Sequence, residues 1–260
     1  MYRSVVAALL LLLVGGCAGG FGIASPEGSK AIQQAKTVGV ISAVGHKFAL
    51  QKIGITVFGN ELNEVAIESW GIDDAVASKI SALLSPRFIV KRITYPKGAF
   101  AAYESPGGAF RDQNAELQDI VRKIAGSQKH DLYIVVTRSS VPVGSTNQIV
   151  TGLGMLEHGA ALFADNITLF AVSTVHVYDG RTFERLLWQR SGHEIGLSLS
   201  MGAAINAPHR KLDRSWWPAT PQAVHDAKLK TATRALVEEG LAKTIPAIMG
   251  LDGKKQAKAE

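Results

Sequence analysis

The chain has 260 residues, 47% hydrophobic and 19% charged, with a formal net charge of +6 at pH 7 and one cysteine. A single thiol excludes an internal disulfide, so an apolar core has to hold the fold. The basic excess is too mild to call for a nucleic-acid partner.

Residues 1–16 read as a signal peptide. Arg3 supplies the positive start, and Val5 to Val14 is an unbroken apolar run of ten residues. That run is too short for a bilayer, which needs about 20 residues. Val14-Gly15-Gly16-Cys17 follows at once and resembles the lipobox of bacterial lipoproteins, in which the cysteine becomes the lipidated first residue of the mature chain. The resemblance implies lipid attachment at Cys17, and Ala18 in place of Asp implies sorting to the outer membrane, facing the periplasm. Removing sixteen residues from 260 leaves 244, which suits one domain, expected over residues 36–250. Residues 17–35 read as lipidated cysteine and tether, and residues 251–260 as a solvated basic tail with Lys254, Lys255 and Lys258.

Val38 to Ile41 reads as the first strand and Phe48 to Phe58 as a second, paired with it. Gly59-Asn60-Glu61 lacks the His of a metallophosphoesterase motif and reads as a turn. Ile72 to Leu84 carries apolar residues on one face and is predicted to be a helix, stopped by Ser85-Pro86. Arg87 to Tyr95 is predicted as a strand, and Pro96 to Arg111 as a long loop. Leu117, Ile120, Val121 and Ile124 form a stripe that makes Ala115 to Ala125 a helix, with Gly126 as its stop. Asp131 to Thr137 reads as a strand buried on both faces. Strand, helix and strand in this order call for a parallel pair with a right-handed crossover.

Residues 138–165 read as an irregular extension with one further strand. Gly152-Leu153-Gly154 is too short a glycine pattern for a dinucleotide site, and Glu157-His158 has no spaced partner for a metal. Asn166 to Arg190 reads as two long strands of one hairpin, turning at Asp179-Gly180, where glycine accepts positive φ. His176 lies mid-strand and reads as a packed core histidine. Ile195 to Met201 alternates apolar with small residues and reads as an extension of the second hairpin strand beyond Gly192. Pro208 to Pro218 reads as a loop. Its Arg210, Lys211, Arg214, Trp216 and Trp217 form a candidate partner-binding group, against the plainer reading that the Trp pair packs the loop onto the domain. Thr220 and Pro221 are predicted to cap and open a final helix toward Met249, kinked near Thr244 by Pro246.

The expected fold class is therefore α/β (α+β), a mixed sheet with a long hairpin flanked by about three helices, one of them C-terminal. With the lipobox in front, this order resembles the soluble α/β domain of the CsgG and LpoB-type envelope lipoproteins. The hairpin carries the most specific likeness, in Val177-Tyr178-Asp179, Thr182 and Trp188, with Phe183 standing where that group usually has glycine. The resemblance implies binding and assembly in the cell envelope, with no catalytic residues and no cofactor, and an envelope protein or a second copy as partner. An oligomeric secretion or pore subunit is the alternative, with residues 138–165 and 193–205 as membrane hairpins. A hydrolase with a site assembled from scattered residues is the second. Gly-x-Ser-x-Gly, His-Glu-x-x-His and a phosphate loop are all missing from the sequence.

The lipobox generates the first prediction. Cells grown with radioactive fatty acid should label the mature wild-type chain, and Cys17→Ala should abolish the label. An unlabelled wild type would remove the anchor.

Overall fold

Valines at alternate positions in three stretches, Val38 and Val40, Val175 and Val177, and Val136 with Ile134, all enter one apolar core. Side chains two apart on a strand share a face, so this pattern predicts adjoining strands over a common core. The computed structural model describes residues 24–54, 59–105, 111–144, 148–158, 166–192 and 205–251. In it the chain opens with α1 (Pro26–Gln34), β1 (Thr37–Ala43), β2 (Lys47–Ile53), β3 (Glu61–Ala66), α2 (Ile72–Leu84) and β4 (Ile89–Arg92). Next come α3 (Ala101–Glu104), α4 (Gln113–Ala125), β5 (Leu132–Arg138), β6 (Ser140–Pro142), β7 (Ile149–Thr151) and β8 (Leu153–His158). The chain closes with β9 (Asn166–Ala171), β10 (Ser173–Asp179), β11 (Arg185–Arg190), β12 (His209–Asp213) and α5 (Ala227–Ile248).

These form two mixed five-stranded sheets, in the orders β11-β10-β5-β1-β4 and β12-β9-β8-β2-β3, and a β6-β7 ribbon. The main core lies between one face of both sheets and the helices α2 and α5. On the other face of the first sheet, Ile41, Tyr133 and Val135 meet Leu117 and Val121 of α4. On the other face of the second, Ala49, Leu156 and Phe170 pack with Val141 and Val150 of the ribbon. Each fully buried aliphatic side chain contributes about 1.5–3 kcal/mol.

The mixed α/β class holds, and α2 has the bounds expected from the sequence. Several local expectations are corrected. The second strand does not pair with the first: β1 and β2 lie in different sheets. The chain turns between them at Val44 and Gly45, whose N–H groups donate to the Asp73 carboxylate at 2.9 and 3.1 Å. A Cβ on Gly45 would sit 2.9 Å from Ile72 Cβ, so only glycine lets strand and helix approach there. The expected first strand of the long hairpin is likewise two strands, β9 and β10, in separate sheets. The switch falls at Val172, whose N–H donates to Gly152 O at 2.7 Å and whose C=O accepts from Ser139 N at 3.1 Å.

β4 and β5 run parallel but do not touch, because β1 pairs with both. The extension holds β6, β7 and β8 rather than a single strand. Part of the expected tether is helical: Ser25 Oγ caps α1, and Ile32 is buried. The last helix starts at Ala227, capped by Asp226, because Pro221–His225 forms a separate 3-10 turn. Pro246 sits inside that helix, which continues to Ile248. Leu251, expected to open the solvated tail, packs against the main core; Ile195 to Met201, the expected signal segment, Cys17 and residues 252–260 lie outside the described residues.

The hairpin tip is also built differently. Gly180 does not take positive φ; Phe183 does, at 58°. Asp179 Oδ1 accepts from Arg181 N and Thr182 N at 2.8 and 2.9 Å, which winds the chain into that conformation. The strain is held because the Phe183 ring stacks on Tyr133, with centroids 5.4 Å apart. Glycine at 180 is needed for proximity instead, since a Cβ there would lie 1.8 Å from His130 O.

Gly180→Ala should therefore lower stability by about 1–3 kcal/mol, read as a lower thermal midpoint, by forcing the tip off the start of β5. An unchanged midpoint would show that the tip does not rest there.

Candidate functional site

The Arg/Trp stretch is an edge strand and a turn rather than a loop. Arg210 and Lys211 lie on β12, which pairs with β9 alone, and Arg214 to Trp216 form a 3-10 turn capped by the Asp213 carboxylate. Exposed cations on an edge strand also hinder unwanted strand pairing. Trp216 and Trp217 are half-buried against the main core, so the packing reading is correct for their inner faces. Their other contacts are cationic: Lys228 Nζ stands 3.7 Å above the Trp216 ring and Lys52 Nζ 5.6 Å above Trp217. Glu157, which the sequence leaves as bare surface, gathers the group by meeting Arg214 at 2.9 Å and Lys52 at 3.7 Å. Arg210 reaches Glu239 of α5 at 3.8 Å. Lys52, Glu157 and Lys228 are distant in sequence from the turn, and no local pattern marks them.

A second polar group sits where β1 and β4 end. Asp73 Oδ1 also accepts from Ser42 Oγ at 2.6 Å, and the Tyr95 hydroxyl donates to Ser42 O at 2.5 Å. Burial pushes the Asp73 carboxyl above its usual range, opposed by the bonds from Ser42, Val44 and Gly45. Close by, His46 Nε2 meets Glu104 at 2.7 Å. This geometry ties the Asp73 carboxylate to backbone and to a hydroxyl donor, a structural task. No group of three or more His, Cys, Asp and Glu side chains able to hold a metal occurs among the described residues.

His176 is buried, as its mid-strand position predicts, at 4% exposure. Its Nε2 lies 3.2 Å from Thr137 Oγ1, while Nδ1 has no partner among the described residues. Burial lowers its pKa to about 3, aided by the charge of Arg185. Such a ring stays neutral and out of reach of substrate.

At the opposite end of the first sheet, where β1 and β5 begin, a cleft of about 610 Å³ opens between α1, the α4–β5 connection and the hairpin tip. Lys129, His130, Asp131 and Arg181 line its polar part, and Ala31, Ala35 and Phe183 its apolar part. Asp131 Oδ2 accepts from the N–H groups of Lys36 and Thr37, both at 2.9 Å, so this carboxylate holds the entry to β1. Backbone bonds from Lys36 and Thr37 accordingly hold its pKa below the usual range.

No family model matches the chain, and no curated protein matches it in sequence. Similar solved structures include the hypothetical protein CT253 of Chlamydia trachomatis, 8% identical, covering 82% of this chain and 98% of that one, at a TM-score of 0.33. Lipoprotein GNA1162 of Neisseria meningitidis is 12% identical and covers 79% and 98%, at a TM-score of 0.27. The LpoB C-terminal domain of Salmonella enterica is 11% identical and covers 64% and 90%, at 0.20. Bacterial lipoproteins are thus among the structures this chain is similar to.

His176 generates a pH prediction. Its folded pKa lies below the unfolded value near 6.5, so the unfolded chain binds the extra proton and stability falls as pH drops from 6.5 toward 3. Between pH 6.5 and 5 this one group should remove about 2 kcal/mol. Urea denaturation at both pH values should show a smaller loss in His176→Phe than in wild type. Equal losses would place a solvated imidazole at this position.

Proposed function

We propose that the chain is a lipid-anchored protein of the bacterial cell envelope that acts by binding and assembly rather than by catalysis. Cys17 carries the lipid, and the domain faces the periplasm from the outer membrane. The partner-binding surface is the edge strand and turn bearing Arg210, Lys211, Arg214, Trp216 and Trp217, and the partner is an envelope protein. The observation that carries this reading is the meeting of Trp216 and Trp217 with Lys228, Lys52 and Arg214 on one exposed corner. Tryptophan and arginine are enriched among residues that dominate interface energetics.

The same corner lies at the start of α5, a helix about 33 Å long by its 22 residues. Its far end meets α1 through Arg87, which donates to Met249 O at 3.4 Å and to Gln33 O at 2.9 Å. The C-terminal end of α1 and the proposed partner surface therefore sit toward opposite ends of α5. Residues 140–142 and 149–158 form strands, and Val141, Val150 and Leu156 of these lie in the third core, a placement that favours binding over the pore reading for that part of the chain.

The test is a photo-crosslinking amino acid placed at Lys211 in growing cells, with a second at Lys79 on α2 as control. A discrete adduct should form at position 211 and not at 79, and Arg214→Glu should reduce it at least fivefold while the thermal midpoint stays put. Adducts at both positions, or none at 211, would remove the surface. Turnover of ester, phosphate, peptide or glycan substrates, abolished by one His or Asp change, would replace binding with catalysis.

A further inference from the structure

Charge is segregated along the first sheet. Where its parallel strands begin, Lys36 precedes β1, Arg87 precedes β4 and Lys129 precedes β5, while Lys91 within β4 lies close enough to His130 for its charge to act on it. Lys30 on α1, Lys123 in the last turn of α4 and Arg181 on the hairpin tip stand at the same end, and all seven are exposed. The acidic residues facing them are Glu27, Asp131, Asp179 and Glu184. Two of these spend an oxygen on backbone N–H groups, Asp131 on Lys36 and Thr37, Asp179 on Arg181 and Thr182.

The opposite end of the sheet has the reverse balance among the described residues. Glu64, Glu68, Asp73, Asp74, Glu104, Asp112 and Glu116 narrowly outnumber Lys47, Arg92, Lys97, Arg111, Arg138 and Arg190 there. The helices explain part of this polarity. α2 and α4 run against the parallel strands, with acids in their first turns, and α4 carries bases in its last, as the helix dipole favours.

The helix α1 also lies at this end, where a Cβ on Gly28 would stand 3.5 Å from Leu186 Cβ at the start of β11. Arg87 pins the last carbonyls of α1, Ile32 O at 3.2 Å and Gln33 O at 2.9 Å, to this end. From Cys17 to the cap residue Ser25 is eight residues, a reach of at most about 30 Å. A surface this close to acyl chains meets lipid headgroups before any other partner.

We propose that the basic end of the first sheet docks on an anionic phospholipid bilayer, with Lys129 and Arg181 at the cleft mouth among the contact residues. Acyl chains and headgroup charge then hold the domain together, and the acidic end points away from the membrane. This orientation rests on Cys17 as the lipid site. Attraction of this kind changes affinity about fivefold for each basic residue at the surface and fades with salt.

Residues 18–260 made without lipid contain every residue of the three cores, so this soluble form tests the surface alone. It should sediment with vesicles containing about a third phosphatidylglycerol, not with pure phosphatidylcholine, and detach in high salt. Lys129→Glu with Arg181→Glu should weaken binding at least tenfold, as should Lys36→Glu with Lys123→Glu. Lys97→Glu with Arg92→Glu, both at the acidic end, should leave it unchanged. Equal binding to neutral vesicles, no binding, or the same loss in the Lys97 pair would overturn the proposal. Tighter binding to a soluble polyanion such as heparin at equal salt would also overturn it. Absence of lipid on Cys17 would show only in the acyl-labelling experiment and would leave this vesicle binding untouched.

Discussion

One carboxylate sets how the chain divides between its sheets. Asp73, in the first turn of α2, accepts hydrogen bonds from Ser42 Oγ and from the N–H groups of Val44 and Gly45. Those two backbone donors come just after β1, where a straight strand would have continued. With them satisfied by Asp73, the chain turns and β2 starts in the other sheet. Burial makes the charged carboxyl costly, and its three donors offset that cost. A buried backbone N–H without such a partner would cost about 1–3 kcal/mol. The second crossing, at Val172, completes the arrangement, and one core can then serve both sheets.

The far end of the first sheet is built on a comparable economy. Asp131 closes the entry to β1, while its own backbone carbonyl accepts from Gly180 N at 2.8 Å. The tip of the hairpin is thereby fixed against the start of β5, and α1 closes the third side of the cleft. Phe183 occupies a backbone conformation that glycine would take without strain. The stacked Tyr133 ring and the Arg122 guanidinium, 5.9 Å away, give the side chain enough contact to hold it there. The residue that turns the chain here is thus also part of the second core.

Polar groups in this protein are concentrated at the two ends of the sheets, and their roles differ. Those at the end of β1 and the buried His176 are engaged in structure. Those around Trp216 and Trp217 and those around the cleft include the exposed cations Arg210, Lys211, Arg214, Lys129 and Arg181.

The sequence alone determined the elements whose cause is local. The α2 stripe followed by Ser85-Pro86, the α4 stripe after Asp112, the apolar run of β5 and the burial of His176 are all written in periods of 3.6 or 2, or in caps. Partition between sheets was not legible, because β9 and β10 form one continuous apolar run and only Gly152, Ser139 and Pro208, remote in sequence, end it at Val172. The Arg/Trp cluster was legible as a composition, but Glu157, Lys52 and Lys228 were not, since they converge on it only when β2, β8 and α5 are packed. Hydrogen bonds between distant backbone groups, and close approaches such as that of Gly180 to His130, leave no periodic trace, so tertiary structure alone decided them.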